Sequence, residues 1–380
     1  MNKKLKVLPI LAMGLMLVAC NGTGASSSTK PTSKNDDVNF TLKVGSYVAL
    51  GSTANQIEVS TAAVILKGDK IVDAYFDVLQ APFKIEATSD KKTEKVTYTV
   101  SLDTTTKQTK DAGDKVIETK QELKERYAMK KNDEESQKME WYNQAANFAK
   151  YSVGKTIDEV TSKNYKNPYN ETGTVEVPGC TISQTNFTTA LKVITDTKTF
   201  KAPAGKVSAG LGYKVSALSG NVLTVTLAGS ATDKDGKIYE TSINAYQIPL
   251  TGTSAASPKI AIDTSKKQAT VAKFKDHTVA SGENTYYTSV LSKRELKELY
   301  GMKKNDEESQ KMEWYNQANN FARYAKGKNV SELKENLGKY KGTEHNQNGT
   351  IEVAGCTILM DDFATSIVKS NTNKSGLTAK

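Results

Sequence analysis

The sequence predicts an α+β protein built twice: two tandem homologous domains, each an antiparallel or mixed sheet followed by helices. Three observations carry this. Thr-Val-Glu-Val-Pro-Gly-Cys-Thr-Ile at residues 174–182 returns as Thr-Ile-Glu-Val-Ala-Gly-Cys-Thr-Ile at 350–358. Residues 129–145 and 302–318 are identical, letter for letter. In each half, runs with strand-like alternation come first and capped, helix-periodic segments come after. The repeat is a whole domain of roughly 170 residues, far longer than the ~20–50 of a solenoid, which reads as tandem duplication.

The fold begins after an export segment. Lys3, Lys4 and Lys6 precede an apolar run from Val7 that ends in Leu17-Val18-Ala19-Cys20, the form of a secretory signal peptide over 1–19. The run is too short to favour a membrane span. Its Leu-x-Ala-Cys ending resembles a lipobox, which implies cleavage before Cys20 and lipidation of its sulfur. The chain would then sit lipid-anchored on the extracellular face of the cell membrane. Residues 20–39 are rich in Ser, Thr, Gly, Lys and Asn and read as a flexible, lipidated linker. Domain one is expected at 40–199, domain two at 200–370, and a disordered tail at 371–380.

From Leu42 the pattern predicts strands: one ending over Tyr47 and Leu50, one over residues 56–66, a Lys67-Gly68-Asp69 turn, a third to Val78 and a fourth over 96–102. Thr119 and Glu122 form a capping box. Asn132 and Glu135 open a longer helix to about Ser152, stopped by Gly154, with Met139, Tyr142, Ala146 and Ala149 on its core face and Trp141, Ala145 and Phe148 widening it. Thr156 and Glu159 cap a third helix. A strand then enters the Gly-Cys-Thr turn, and a closing helix from Thr185 carries Phe187, Ala190, Leu191 and Ile194. The second half repeats the order, with a capping box at Ser292 and Glu295, Gly327 answering Gly154, and a closing helix from Asp361.

Composition narrows the chemistry. The net charge of +10 falls to about +7 when three lysines leave with the signal peptide. The remaining lysines are scattered among acids, which favours an anionic envelope surface over nucleic acid. His277 and His345 do not match between the halves, and haem, Walker and dinucleotide motifs and clustered metal ligands are absent from the sequence. Cys180 and Cys356, one per copy, are not a disulfide framework and read as small turn residues. Trp141 and Trp314 weigh between core packing and a planar ligand, with packing favoured. Asn143, Gln144, Asn316 and Gln317 stand out as polar residues in an apolar helix. The duplicated turn itself, a glycine and a threonine just ahead of a helix, is a seat for an anion such as phosphate.

That turn resembles the Ser-Gly-Ala-Thr-Ile-Thr motif of the FMN-binding domain family. Pro178 or Ala354 stands for the Ser and Cys180 or Cys356 for the Ala, and the threonine is kept. Gly45-Ser-Tyr47 and Lys67-Gly-Asp-Lys-Ile-Val72 match the family's opening strands. The resemblance implies FMN joined by a phosphoester to Thr181 and Thr357, with Gly179, Cys180, Gly355 and Cys356 beside it. It also implies an ApbE-type flavin transferase as partner, a membrane quinone-linked electron donor, and extracellular acceptors such as ferric iron. The chain would then be an electron carrier with no catalytic residues of its own. The competing expectation is a lipoprotein that binds envelope polymer or a small solute.

Overall fold

The computed structural model describes residues 37–51, 55–113, 115–130, 139–167, 170–254, 256–266, 290–302, 312–342, 346–376 and 379. The signal peptide, Cys20, most of the linker, both histidines and the capping residues Asn132 and Glu135 lie outside them.

Alternation and turn chemistry build two antiparallel sheets. In the first, β1 (Asp37–Leu50), β2 (Gln56–Lys67), β3 (Lys70–Asp90) and β4 (Lys95–Leu102) run as a meander, and Gly68 takes φ +63° in the β2–β3 turn. β5 (Ile194–Pro203) returns to the free edge of β1, giving the order β4-β3-β2-β1-β5. The second sheet is β6 (Val207–Val215), β7 (Val222–Asp233), β8 (Ile238–Thr253) and β9 (Lys259–Ile262), in sequence order. Register shifts fall at Ile65/Leu66 and at Ala231/Thr232, the same place in each meander.

Both faces of β2 are covered, because its odd residues (Ile57, Val59, Ala63, Ile65) and its even residues (Ala62, Val64, Leu66) join different cores. The odd face packs the two sheets against each other: Phe40, Val44 and Leu79 share one cluster with Tyr213, Val225 and Tyr246. Outside them lie α2 (Trp141–Ser152) and α4 (Thr185–Lys192) on the first sheet, and α6 (Trp314–Ala325) and α8 (Asp361–Thr372) on the second. The layers therefore run helix, sheet, sheet, helix. Polar ties cross the middle: Asp73 Oδ2 accepts from the Ala209 amide at 2.7 Å, and the Tyr246 hydroxyl donates to the Ser46 carbonyl at 2.9 Å. Shorter helices α1 (Lys120–Leu123), α3 (Ile157–Thr161), α5 (Lys293–Leu296) and α7 (Val330–Glu335) each carry a complete capping box.

Several elements depart from expectation. Met139 and Glu140 are not helical, so α2 starts at Trp141 rather than Asn132. Its buried face is Trp141, Gln144, Ala145, Phe148, Ala149 and Ser152, while Met139 is 42% exposed and Ala146 is exposed. Phe148 sets this rotation by packing edge-on to Phe76 and tilted against Phe187, each at 5.3 Å, since the largest apolar area decides which face is buried. Ile194 opens β5 instead of closing α4, because an unpaired β1 edge takes a partner. β5 thereby runs across the expected boundary at 199/200. Among the described residues only isolated bridges, Tyr165 to Val175 and Asn167 to Asn170, precede the first Gly-Cys-Thr turn, so no full strand enters it. At the C-terminus, the expected tail packs along β6: the Ser375 amide donates to the Ala209 carbonyl, the Ala379 amide to the Val207 carbonyl, and Ala379 is fully buried.

Candidate functional site

Each Gly-Cys-Thr stretch is a tight turn whose shape its sequence dictates. The Cys180 amide donates to the Val177 carbonyl at 3.0 Å, and the Cys356 amide to the Val353 carbonyl at 2.9 Å. Gly179 and Gly355, third in their turns, hold φ at +67° and +72°. A 4→1 hydrogen bond with positive φ at the third residue is a type II turn, which favours Gly there and Pro before it, as in Pro178-Gly179. Space makes the same demand: a Cβ on Gly179 would lie 2.4 Å from Asn147 Nδ2, and one on Gly355 2.2 Å from Asn320 Nδ2.

The helix beneath each turn grips it twice. Asn147 Nδ2 donates to the Gly179 carbonyl at 2.8 Å, and Asn320 Nδ2 to the Gly355 carbonyl at 3.0 Å. Gln144 Oε1 accepts from the Thr181 amide (2.7 Å), the Thr181 hydroxyl (3.1 Å) and the Ile182 amide (3.1 Å). Gln317 Oε1 does the same for the Thr357 amide (2.8 Å), its hydroxyl (3.2 Å) and the Ile358 amide (3.3 Å). The generic anion seat is thereby corrected. The amides after the turn are already bonded to a side-chain carbonyl, and Asp361 and Asp362 in the first turn of α8 satisfy that helix end with negative charge.

The identical stretches frame these contacts. The Met129 amide donates to Glu140 Oε2 at 3.0 Å and the Met302 amide to Glu313 Oε2 at 3.1 Å, so the first residue of each stretch is tied to a glutamate near its helix start. Tyr142 donates to Glu125 and Tyr315 to Glu298 in the same way. Gln144 and Gln317 belong to these stretches. Asn147 and Asn320 were not picked out by sequence reasoning. Their signal was available: an asparagine at the same offset from each tryptophan, on a helix facing each turn. Asn143 and Asn316 do not reach the site.

The cysteines are buried and unpaired with each other. Burial pushes the Cys180 thiol up to about 11 and the Cys356 thiol up to about 12, so neither is a ready nucleophile or metal ligand. Among the described residues, no group of three or more His, Cys, Asp or Glu could hold a metal ion.

Two cavities adjoin the turns. Thr181, Cys180, Gly179 and Pro178 line an open cleft of about 910 Å³ with Lys166 and Glu176 at its sides. Ile358, next to Thr357, lines a smaller one of about 230 Å³ with Trp314, Tyr300, Met302, Phe363, Lys293 and Asp362. Trp314 is thus core, edge-on to Phe363 at 5.5 Å, and cavity wall at once; Trp141 packs edge-on to Phe187 at 5.7 Å. The Lys293 ammonium lies 4.7 Å from the Tyr300 ring centre and 5.4 Å from that of Trp314, as Lys120 does at 5.1 and 5.3 Å from Tyr127 and Trp141. Burial raises the Asp362 carboxyl above its usual range, against the opposing pull of Lys214 and Lys293.

No helix among the described residues is long and apolar enough to cross a membrane. The chain matches no protein-family model, no curated protein and no solved structure.

Proposed function

We propose that the two halves are homologous FMN-binding domains of one membrane-anchored extracellular electron carrier, flavinylated on Thr181 and Thr357. The observation that carries the reading is the doubled frame around those hydroxyls, in which the same glutamine, asparagine, glycine turn and buried cysteine recur in both halves. Inert cysteines beside the threonines agree with attachment through oxygen.

The residues fit the group. The cleft at Thr181 has the volume of a small-molecule site, ~300–1,000 Å³. The cavity at Ile358 falls below that range, with Trp314, Tyr300 and Phe363 as aromatic walls and Lys293, Asp362 and Gln247 as polar groups. Bound flavin supplies one- and two-electron redox chemistry, and the chain supplies attachment, burial and polar neighbours. A phosphoester keeps the cofactor on a protein that works away from the cytosolic pool. Lipidated Cys20 would tether the carrier between a membrane quinone-linked donor and extracellular acceptors such as ferric iron.

The test is in-gel fluorescence of the denatured chain produced beside an ApbE-type transferase. Covalent flavin survives denaturation, so the wild-type band glows, Thr181→Ala and Thr357→Ala each remove about half the signal, and the double variant is dark. A dark wild-type band with saturable binding of an envelope polymer or solute supports the competing lipoprotein reading instead.

A further inference from the structure

We infer that Gln144 and Gln317 are positioning residues that prepare Thr181 and Thr357 to accept a phosphoryl group, an inference resting on the flavin reading above. Each glutamine is 1% exposed on a helix face otherwise made of Trp, Ala and Phe, with Ser152 at the far end of α2. Burying an amide there is unfavourable unless its groups are bonded. Three donors from the threonine turn meet the carbonyl oxygen, while Nε2 donates to the Met139 carbonyl at 3.1 Å and towards Met129 Sδ at 3.6 Å, or to the Met312 carbonyl at 3.3 Å and towards Met302 Sδ at 3.5 Å.

The hydroxyl contact is the informative one. Two backbone amides would already hold the turn. The third donor is the threonine O–H, which has a single hydrogen and two lone pairs. With that hydrogen turned onto a buried carbonyl, the lone pairs of Oγ1 face away from the helix, and Thr181 lines the open cleft. A fixed, outward lone pair is what in-line attack on phosphorus needs, and fixing it in advance removes rotor entropy from the barrier.

In the step, the threonine oxygen forms a bond to the flavin-side phosphorus of a flavin adenine dinucleotide. The bond from that phosphorus to the bridging oxygen breaks, and adenylate leaves with its electron pair. A loose transition state leaves the hydroxyl proton in place until late. Once the new ester bond makes it acidic, it is released to solvent by way of a non-bridging phosphate oxygen, while the adenylate leaves as its phosphate anion, so atoms and charge balance.

The test follows modification at each threonine over time by peptide mass mapping, in the full chain incubated with transferase and flavin adenine dinucleotide. Gln144→Leu should slow labelling of Thr181 by about 10- to 100-fold and leave Thr357 at the wild-type rate, which also reports that the chain is folded. Gln317→Leu should do the reverse. Gln144→Glu keeps an acceptor oxygen and loses the Nε2 donor, so it should stay within about threefold of wild type. Unchanged labelling in Gln144→Leu, or equal slowing in the Leu and Glu variants, overturns the inference. Absence of flavin from both wild-type threonines defeats the flavin reading and this inference with it; hydrogen exchange at the Thr181 and Ile182 amides, faster in Gln144→Leu, separates that result from failure of the glutamine contact itself.

Discussion

At Gly179 two constraints coincide, a left-handed backbone and an asparagine amide against the missing Cβ. Gly179→Ala should therefore lower stability by about 1–2 kcal/mol in urea unfolding. At Cys180 and Cys356 the raised thiols leave only about a thousandth or less as thiolate near pH 8. Iodoacetamide should label neither in the folded chain and both in denaturant. Two buried carboxyls set a pH dependence. Burial, the largest influence, raises Asp73 and Asp77 to about 7, while in the unfolded chain they ionise near ~4. The folded state binds more protons between those values, so stability falls as pH rises through the window and levels off above it, by on the order of a few kcal/mol in all. Asn244 accepts from the Ala245 and Arg294 amides as Asp77 accepts from those of Val78 and Gln121. Asp77→Asn should therefore shrink the difference between urea midpoints at about pH 5 and about pH 8. Glycine, proline and threonine in the turn were legible because their conformational demands are local. Gln144 was legible only as an oddity, since its partners lie across the fold.

Elements with chemical ends were readable in the same local sense. The boxes at Thr119, Thr156 and Ser292 fold as their own side chains dictate, because both hydrogen bonds close within three residues. Elements decided by tertiary demand were not. Ile194 has the spacing of one more apolar position on α4, yet the β1 edge draws it into β5. The last residues carry little strand signal, yet Ser375 and Ala379 donate to β6 as an edge partner. Ending the chain after Thr372 should remove those bonds and the buried Ala379, lowering the melting temperature by about 2–4 °C or less for each kcal/mol lost. An unchanged melting curve would show that this segment does not support the second sheet.

For the molecule as a whole, the doubled sequence predicts two tandem domains and is silent on how they meet; the structure stacks the two sheets around a shared core. Phe40, Leu79, Tyr213 and Tyr246 belong to one apolar cluster, and Asp73 and Ser46 bond across it. Repetition in sequence reports what each half looks like and carries no record of which faces meet, because an inward and an outward strand face are equally apolar here. The full chain should unfold in one cooperative transition, and a chain ending after Pro203 should expose its inner sheet face and aggregate or remain loosely packed. The central claim is that the repeated threonine frames hold covalent flavin, and intact-mass analysis of the mature chain made beside a flavin transferase tests it most directly. The account predicts two FMN-sized increments in the wild type, one in either Thr181→Ala or Thr357→Ala and none in the double variant; a wild-type mass without increments, or increments that persist in the double variant, would contradict it.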